Sequence, residues 1–369
     1  MGVWFCPLAG LVTKVTAPSR EFWASRKVLV TGHTGFKGAW LSLYLSELGS
    51  HVHGLALDPI TPKNLYSELN LPDRLASDSR VDLRDYRPLH DLLERIQPDV
   101  IVHLAAQSIV SEGYRFPLDT LATNVMGTAN LLEATRQVGL QTVLISVTTD
   151  KVFRNNRESK PFAEDDPLGG IDPYSASKAA ADLVSQMFAK SYLEYLGNPI
   201  GIARAGNVIG GGDWSKDRLF PDLARAWSSN QPLKLRFPKA TRPWQHVLEP
   251  LRGYLMFAEK LTSNPETSGA VNFGPEPGDC LTVEEVVKMA SIFWAGNPGW
   301  VWGDEETFYE TKNLSIDNSL AKQLLGVAPV WESATAIEKT TGWYGEYHRG
   351  APAAELCQRD IEAYEQALA

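Results

Sequence analysis

KVLVTGHTGFKGAW, Lys27 to Trp40, is a short apolar strand that runs into three glycines spaced three apart and then into a helical pattern. This is the form of a dinucleotide-binding turn. Gly32 permits the tight turn after the strand, Gly35 lets backbone approach a pyrophosphate, and Gly38 lets the helix pack closely, with the helix N-terminus facing the phosphates. Gly32, His33, Thr34, Gly35, Phe36, Lys37 and Gly38 are therefore the candidate cradle of a cofactor. A glycine triplet alone is weak, because turns use glycine for many reasons. The second apolar run, His51 to Leu57, ends in Asp58, about 20 residues past the glycines, where a carboxylate accepts both ribose hydroxyls and favours NAD over NADP. The plainer reading of Asp58 is a turn former before Pro59.

Outward from this turn, the runs VLVT, VHGLAL, VIVHLA, TVLISV and IGIARA alternate with amphipathic segments as far as about Arg204. The alternation predicts a doubly wound α/β fold of the Rossmann type, with a parallel sheet covered on both faces. Ligands in such folds lie beyond the strand C-termini. That rule selects Asp58, Asp82 with Leu83, Ala105 to Gln107 (Ala105, Ala106, Gln107), Thr148 to Lys151, and Ala205 to Asn207; Leu104 is counted with the cofactor residues. From Gly206 the pattern changes to Gly, Pro, Trp and Arg clusters, which predicts a smaller mixed α/β substrate lobe. We divide the chain into a tail (1–22), a dinucleotide-binding domain (23–205, with about 240–275 returning to it), a substrate lobe (206–350) and a C-terminal tail with a surface helix (351–369).

Composition narrows the partners. The net charge of −9 argues against a nucleic-acid or anionic-membrane surface. Cys6, Cys280 and Cys357 lack the spacing of a disulfide framework or a metal site, which fits a reducing cytoplasm. No basic region precedes the early apolar run, and no stretch approaches the roughly 18 apolar residues of a membrane span. The seven histidines show no metal-ligand spacing, so no metal is expected.

Tyr174 and Lys178, in YSASK, lie four apart on one face of a helix opening at Pro173. A nearby ammonium would lower the phenol's pKa and make it a general base, and would hold the nicotinamide ribose. Position strengthens this motif, because it follows the fifth strand by one connection. That strand ends in Thr149, Asp150 and Lys151, a hydroxyl, an acid and a base at one terminus; outside a ligand crevice such charges simply mark a return to solvent. In the second lobe Arg218 and Arg242 suit a diphosphate. Trp214 and Trp244 serve equally well as packing.

These residues resemble the extended short-chain dehydrogenases/reductases and, within them, the CDP-sugar branch of the nucleotide-sugar 4,6-dehydratases. The likeness covers about Phe22 to Gly350 and rests on TGHTGFKGAWLSLYLSELG, LAAQS, TNVMGTANLLEA, TTDK, YSASK, RAGNVIGGGDW and TRPWQHVLEPLRGYL. It implies a lyase that uses bound NAD. Tyr174 takes the O4 proton as hydride leaves C4, Lys151 takes the C5 proton, Asp150 protonates the departing C6 hydroxyl, and hydride returns to C6. The implied substrate is CDP-glucose and the implied product its 4-keto-6-deoxy derivative, for deoxysugar and lipopolysaccharide O-antigen synthesis. The resemblance adds Thr123 to the cofactor residues. It assigns the substrate to Gln107, Asn207, Asp213, Trp214, Arg218, Leu219, Arg242 and His246. It also implies a homodimer or homotetramer paired through the helices near Phe116 to Gln137 and Pro173 to Tyr195. For Lys151 to act as a base, crowding by Lys178 and partial burial must lower its pKa.

Three positions depart from the family pattern: Phe153 stands where Tyr is common, Thr149 where Ser is, and Ser111 where a basic residue often lies. A 4-epimerase on the same fold would need only Tyr174, Lys178 and one hydroxyl, leaving Asp150 and Lys151 idle. A cofactor-sensing binding protein would typically lack Tyr174.

Overall fold

The computed structural model describes residues 16–154, 160–303 and 314–368. Most of the expected N-terminal tail, with Cys6, and the final Ala369 lie outside the described residues. Seven strands form one sheet: β1 (Lys27–Thr31), β2 (His51–Ala56), β3 (Ser77–Arg80), β4 (Val100–His103), β5 (Val143–Val147), β6 (Ile200–Ala205) and β7 (Gly269–Phe273). The order is β7-β6-β5-β4-β1-β2-β3, and every pairing is parallel. The winding direction reverses between β1 and β4, which opens a crevice at their C-terminal ends.

Both faces of the sheet are apolar because alternate residues point to opposite sides. Val28, Val30, Val100, Val102 and Ile145 face one side, where α1 (Phe36–Glu47) contributes Trp40, Leu41 and Tyr44. Leu29, Ile101, Leu144 and Ile202 face the other, covered by Leu89, Leu92 and Leu93 of α2 (Tyr86–Ile96) and Leu131 and Leu132 of α3 (Gly127–Val138). Each fully buried Leu contributes roughly 1.5–3 kcal/mol. Next in the chain comes α4 (Pro173–Phe188), which carries the YSASK motif. Asp172 caps it by accepting from the Ser175 amide at 3.0 Å, and Pro173 pre-sets its first turn.

After β6 the chain enters the second lobe. There it forms a helix at Leu219–Ser228 and three two-stranded pairings. The chain then returns through α5 (Leu248–Ser263), which packs on the sheet, and joins it again as β7.

The two termini differ from the sequence reading. Residues Arg20–Trp23 form a helical turn that buries Trp23, whose indole donates to Glu259 Oε1 at 2.7 Å, so the segment just before β1 is docked rather than a tail. After α6 (Ser333–His348), α7 (Ala353–Leu368) is more than a surface helix. Leu356, Cys357, Ile361 and Tyr364 form an apolar stripe that closes the core, and the Tyr364 hydroxyl donates to Glu249 Oε2 at 2.9 Å.

Candidate active site

The glycine turn is a space that side chains cannot enter. Gly32 has φ +77°, and a Cβ there would lie 2.8 Å from the backbone of Ala105. A Cβ on Gly38 would stand 2.1 Å from the Gly32 carbonyl oxygen. Backbone therefore approaches closely on two sides of the α1 N-terminus, which begins at Phe36 after Gly35. Thr31 ties the two lips of the crevice together: its hydroxyl meets His103 Nδ1 at 2.8 Å and accepts from the Leu104 and Ala105 amides, both at 3.1 Å.

The other expected cofactor residues divide into those at the crevice and those that brace it. Thr34 donates to the Leu57 carbonyl at 2.9 Å, holding the turn against the end of β2. His33 turns inward instead, bonding Asp78 Oδ1 at 2.8 Å, with its ring filling the space over Gly54. Asp58 is exposed and accepts from Arg80 Nε at 2.8 Å. Asp82 is bonded by the Arg84 amide at 2.9 Å, and Leu83 packs on Gly127. Ala106 follows on the half-buried lip, and Ala205 is buried at the end of β6.

Thr123 is half-exposed, and its neighbour Asn124, which the sequence reading missed, is the residue that points inward. Asn124 accepts from the Gln107 amide at 2.8 Å and donates to Ser177 Oγ at 2.9 Å, so it locks the Leu104–Gln107 loop to the first turn of α4. The widened turn Ala122–Met126 aims it there.

Tyr174, Thr149 and Asp150 meet at the end of β5. The Thr149 hydroxyl donates to Asp150 Oδ1 at 2.9 Å and lies on the side of the Tyr174 phenol, where it favours the phenolate. Asp150 Oδ2 is buried without a hydrogen-bond partner among the described residues. Burial pushes the Asp150 carboxyl up, against the opposing pull of Lys151, Thr149, Arg242 and Lys37. A raised carboxyl is one that can carry a proton to a leaving group.

Lys178 Nζ donates to the Val147 carbonyl at 2.8 Å, and burial draws its ammonium down to about 8 against the pull of Asp182. Tyr174 is pushed up to about 12 by burial, with Thr149 and Arg218 favouring its phenolate. Lys178 is anchored on β5 through the Val147 carbonyl. Lys151 is half-buried in the tight turn Asp150–Val152 beside the acid.

In the second lobe the side chains part company. Arg218 Nη2 donates to Ser108 Oγ at 3.3 Å and its Nη1 lies 3.6 Å from Asp213 Oδ2, which places it over the crevice. Asp213 is buried and positions that loop, while Leu219 begins the following helix. Ser111, where a cation was expected, donates to Asp217 Oδ2 at 2.9 Å, and Arg236 reaches the same carboxylate at 3.2 Å. Arg242 is buried with its charge facing Asp150, and the Asn207 carbonyl accepts from the Gln245 amide. Gln107 spends its side-chain amide on Thr120 and the Ile109 amide.

Two substrate expectations change. His246 is fully buried, with its ring between Trp40 and Trp331, and burial drives its imidazole down to about 3, so it is a neutral core residue that no substrate reaches. Trp214 packs edge-on against Tyr344 and at a tilt against Tyr347, under the Lys63 ammonium, and Trp244 is buried with its indole donating to the Leu281 carbonyl. Phe153 needs no hydroxyl, because it stacks on Phe162 at 5.0 Å between ring centres.

The set fits NAD: two glycines that no side chain can replace, the α1 N-terminus, a carboxylate after β2 and the Lys178 ammonium. Comparison with known proteins gives the same reading. The sequence model of the family described as GDP-mannose 4,6 dehydratase matches residues 29–348. A CDP-glucose 4,6-dehydratase of Salmonella typhimurium is 40% identical over 351 residues, covering 94% of this chain and 98% of that protein. The low-salt glycan biosynthesis protein Agl12 of Haloferax volcanii is 36% identical over 86% of this chain and 98% of its own length. Among solved structures, a UDP-glucose-4-epimerase of Stenotrophomonas maltophila with bound NAD superposes with TM-score 0.77 at 20% identity over 88% of this chain and all of that one, which shows the shared fold. The chain belongs to the GDP-mannose 4,6 dehydratase family of extended short-chain dehydrogenases/reductases, as an NAD-dependent nucleotide-sugar dehydratase.

Proposed function

We propose that the chain converts CDP-glucose to CDP-4-keto-6-deoxyglucose. The observation that carries this reading is the meeting of Tyr174, Thr149 and Asp150, with Thr149 donating to Asp150 Oδ1 at 2.9 Å, which sets a base and an acid at one strand end. NAD, when bound, supplies the hydride acceptor and the returning hydride. Tyr174 removes the O4 proton while Thr149 orients the hydroxyl, and the resulting 4-keto group acidifies C5–H. Lys151 takes that proton and Asp150 gives its own to the C6 hydroxyl, which leaves as water. Lys151 later returns the proton to C5. The choice of CDP-glucose is supported by the 40% identity to the Salmonella relative of that name.

Incubating the protein separately with CDP-glucose, UDP-glucose, GDP-mannose and dTDP-glucose tests the reading, with water loss followed by mass spectrometry and the 4-keto product by NMR. Water loss confined to CDP-glucose supports it; an epimer without water loss overturns it.

We also read a homodimer. Leu118, Leu121 and Met126 on one segment and Leu183 and Met187 on α4 are exposed, and the two segments are neighbours. A second copy of the same face would cover them. Light scattering of the wild type against Leu183→Glu measures this directly. Among the described residues no helix is long and apolar enough to cross a membrane.

A further inference from the structure

After β6 the chain passes α1, where the Trp40 indole donates to the Gly211 carbonyl at 2.9 Å, and then forms a strap, residues 213–218, that is fastened on two sides. In the loop after β2, the Lys63 ammonium lies 4.0 Å from the centre of the Trp214 ring. In the segment after β4, Ser111 of the helix Val110–Arg115 donates to Asp217 Oδ2 at 2.9 Å. Arg236, just past the strand Leu233–Leu235, reaches Asp217 Oδ1 at 3.2 Å. One carboxylate thus joins the strap to the dinucleotide-binding part on one side and to its own lobe on the other.

The backbone at Asp217 has φ +61°, the left-handed region that few residues other than glycine adopt. Such a conformation persists where the surrounding bonds over-determine it, and the bonds to Ser111 and Arg236 do so here. The next residue is Arg218, which opens the helix Leu219–Ser228 and lies over the crevice. Its own contacts are long, 3.3 Å to Ser108 Oγ and 3.6 Å to Asp213 Oδ2. A guanidinium held so loosely takes its position from its backbone, and that backbone is fixed one residue earlier. An arginine fork already in place loses less side-chain freedom when an anion arrives.

We propose that Asp217 is a positioning residue for the substrate: by tying the strap to Ser111 it holds Arg218 over the crevice, ready for the diphosphate of a nucleotide sugar. Arg236 balances the carboxylate, which would otherwise repel that diphosphate. This role rests on the nucleotide-sugar reading above and on Arg218 as the cation for the diphosphate.

The test uses NAD-loaded Asp217→Gly, Arg218→Met and the double variant, with whichever of the four nucleotide sugars the wild type dehydrates. Glycine keeps the left-handed turn at no steric cost and removes both bonds. Thermal melts check folding, the absorbance of released cofactor checks NAD content, and mass spectrometry then follows water loss over a range of substrate concentrations. Asp217→Gly should raise KM by about tenfold and leave kcat within about twofold, because the diphosphate is remote from C4 and C6. Arg218→Met should raise KM at least as much, and the double variant should be no worse than Arg218→Met alone, since Asp217 acts only through that side chain. Asp217→Asn keeps an acceptor and tolerates the left-handed turn, so it should fall between the wild type and Asp217→Gly. Additive effects of the two substitutions, or wild-type KM in Asp217→Gly, would overturn the proposal. Wild-type KM in Arg218→Met would overturn it as well, while water loss in the same assay would leave the dehydration standing. Should Asp217→Gly fail to fold, Ser111→Ala takes its place, because it cuts the tie to the dinucleotide-binding part, and an unchanged KM there overturns the proposal equally.

Discussion

Arg80, at the end of β3, donates through Nε to Asp58 at 2.8 Å, so the exposed carboxylate that follows β2 is braced by a cation from the neighbouring strand. The same guanidinium reaches Tyr66 at 2.8 Å and also bonds Asp78. A carboxylate repels a 2′-phosphate, whereas a guanidinium beside it attracts one. Asp58→Ala should therefore weaken NAD binding by about tenfold to a hundredfold, since a charge-assisted hydrogen bond is worth about 1.5–3 kcal/mol, and should strengthen NADP by leaving Arg80 without this partner. Fluorescence titration of cofactor-stripped protein with each dinucleotide reads the ratio. Unchanged NADP affinity would mean that Arg80 stays committed to Asp78.

Asp150→Asn keeps the shape of the acid and removes its proton. C4 oxidation should persist, because Tyr174 and Thr149 are intact, while water loss should fall by about 10²- to 10⁴-fold. Stopped-flow absorbance would show reduced cofactor forming and failing to decay. Decay at the wild-type rate would sink the assignment of Asp150 as the acid.

The parts of this site that were legible in the sequence are those that depend on local backbone geometry. The glycine turn can be read because Gly32 and Gly38 stand where any Cβ would strike backbone, and Tyr174 and Lys178 can be read because a helix puts residues four apart on one face. What could not be read depends on partners distant in the chain. His246 follows Arg242 and looks like another cation for a diphosphate; only the pairing of Gln245–His246 with Val208–Ile209 buries it between Trp40 and Trp331. Asn124 looks like an ordinary polar residue in a helix until the turn around it widens and aims it at Gln107 and Ser177. The Arg80 brace on Asp58 needs the order of β2 and β3, and the burial of α7 needs α5 behind it.

Arg204 on β6 and Asp182 on α4 form a buried ion pair, with contacts of 2.8 and 3.0 Å, and Thr148 adds a bond to the same carboxylate at 3.1 Å. It fastens the helix of Tyr174 and Lys178 to the sheet. Arg204→Met leaves Asp182 buried without its partner and should cost about 3–5 kcal/mol in chemical denaturation. The double variant with Asp182→Leu should recover much of that loss, because two apolar groups leave no stranded charge. A double variant as unstable as the single one would show that packing, rather than the uncompensated charge, sets the cost.

Asp360 lies on the inner face of α7 with both carboxylate oxygens buried and unpartnered among the described residues. Burial pushes its carboxyl up to about 7, with Lys339 and Arg359 pulling the other way. The folded protein therefore keeps this proton where the unfolded chain, with a carboxyl near 3.9, has already released it. Its contribution is fully present below about pH 4, is lost progressively as pH rises to about 7, and is absent above that. A gap of about three units corresponds to roughly 4 kcal/mol at most. Asp360→Asn cannot ionise, so it should melt higher than the wild type at about pH 8, match it near about pH 4, and flatten the slope between. Thermal melts across that range decide the matter. Parallel curves for the two proteins would place the pH dependence elsewhere, whereas convergence at low pH identifies a single buried carboxyl as the group that weakens the docking of α7 at neutral pH.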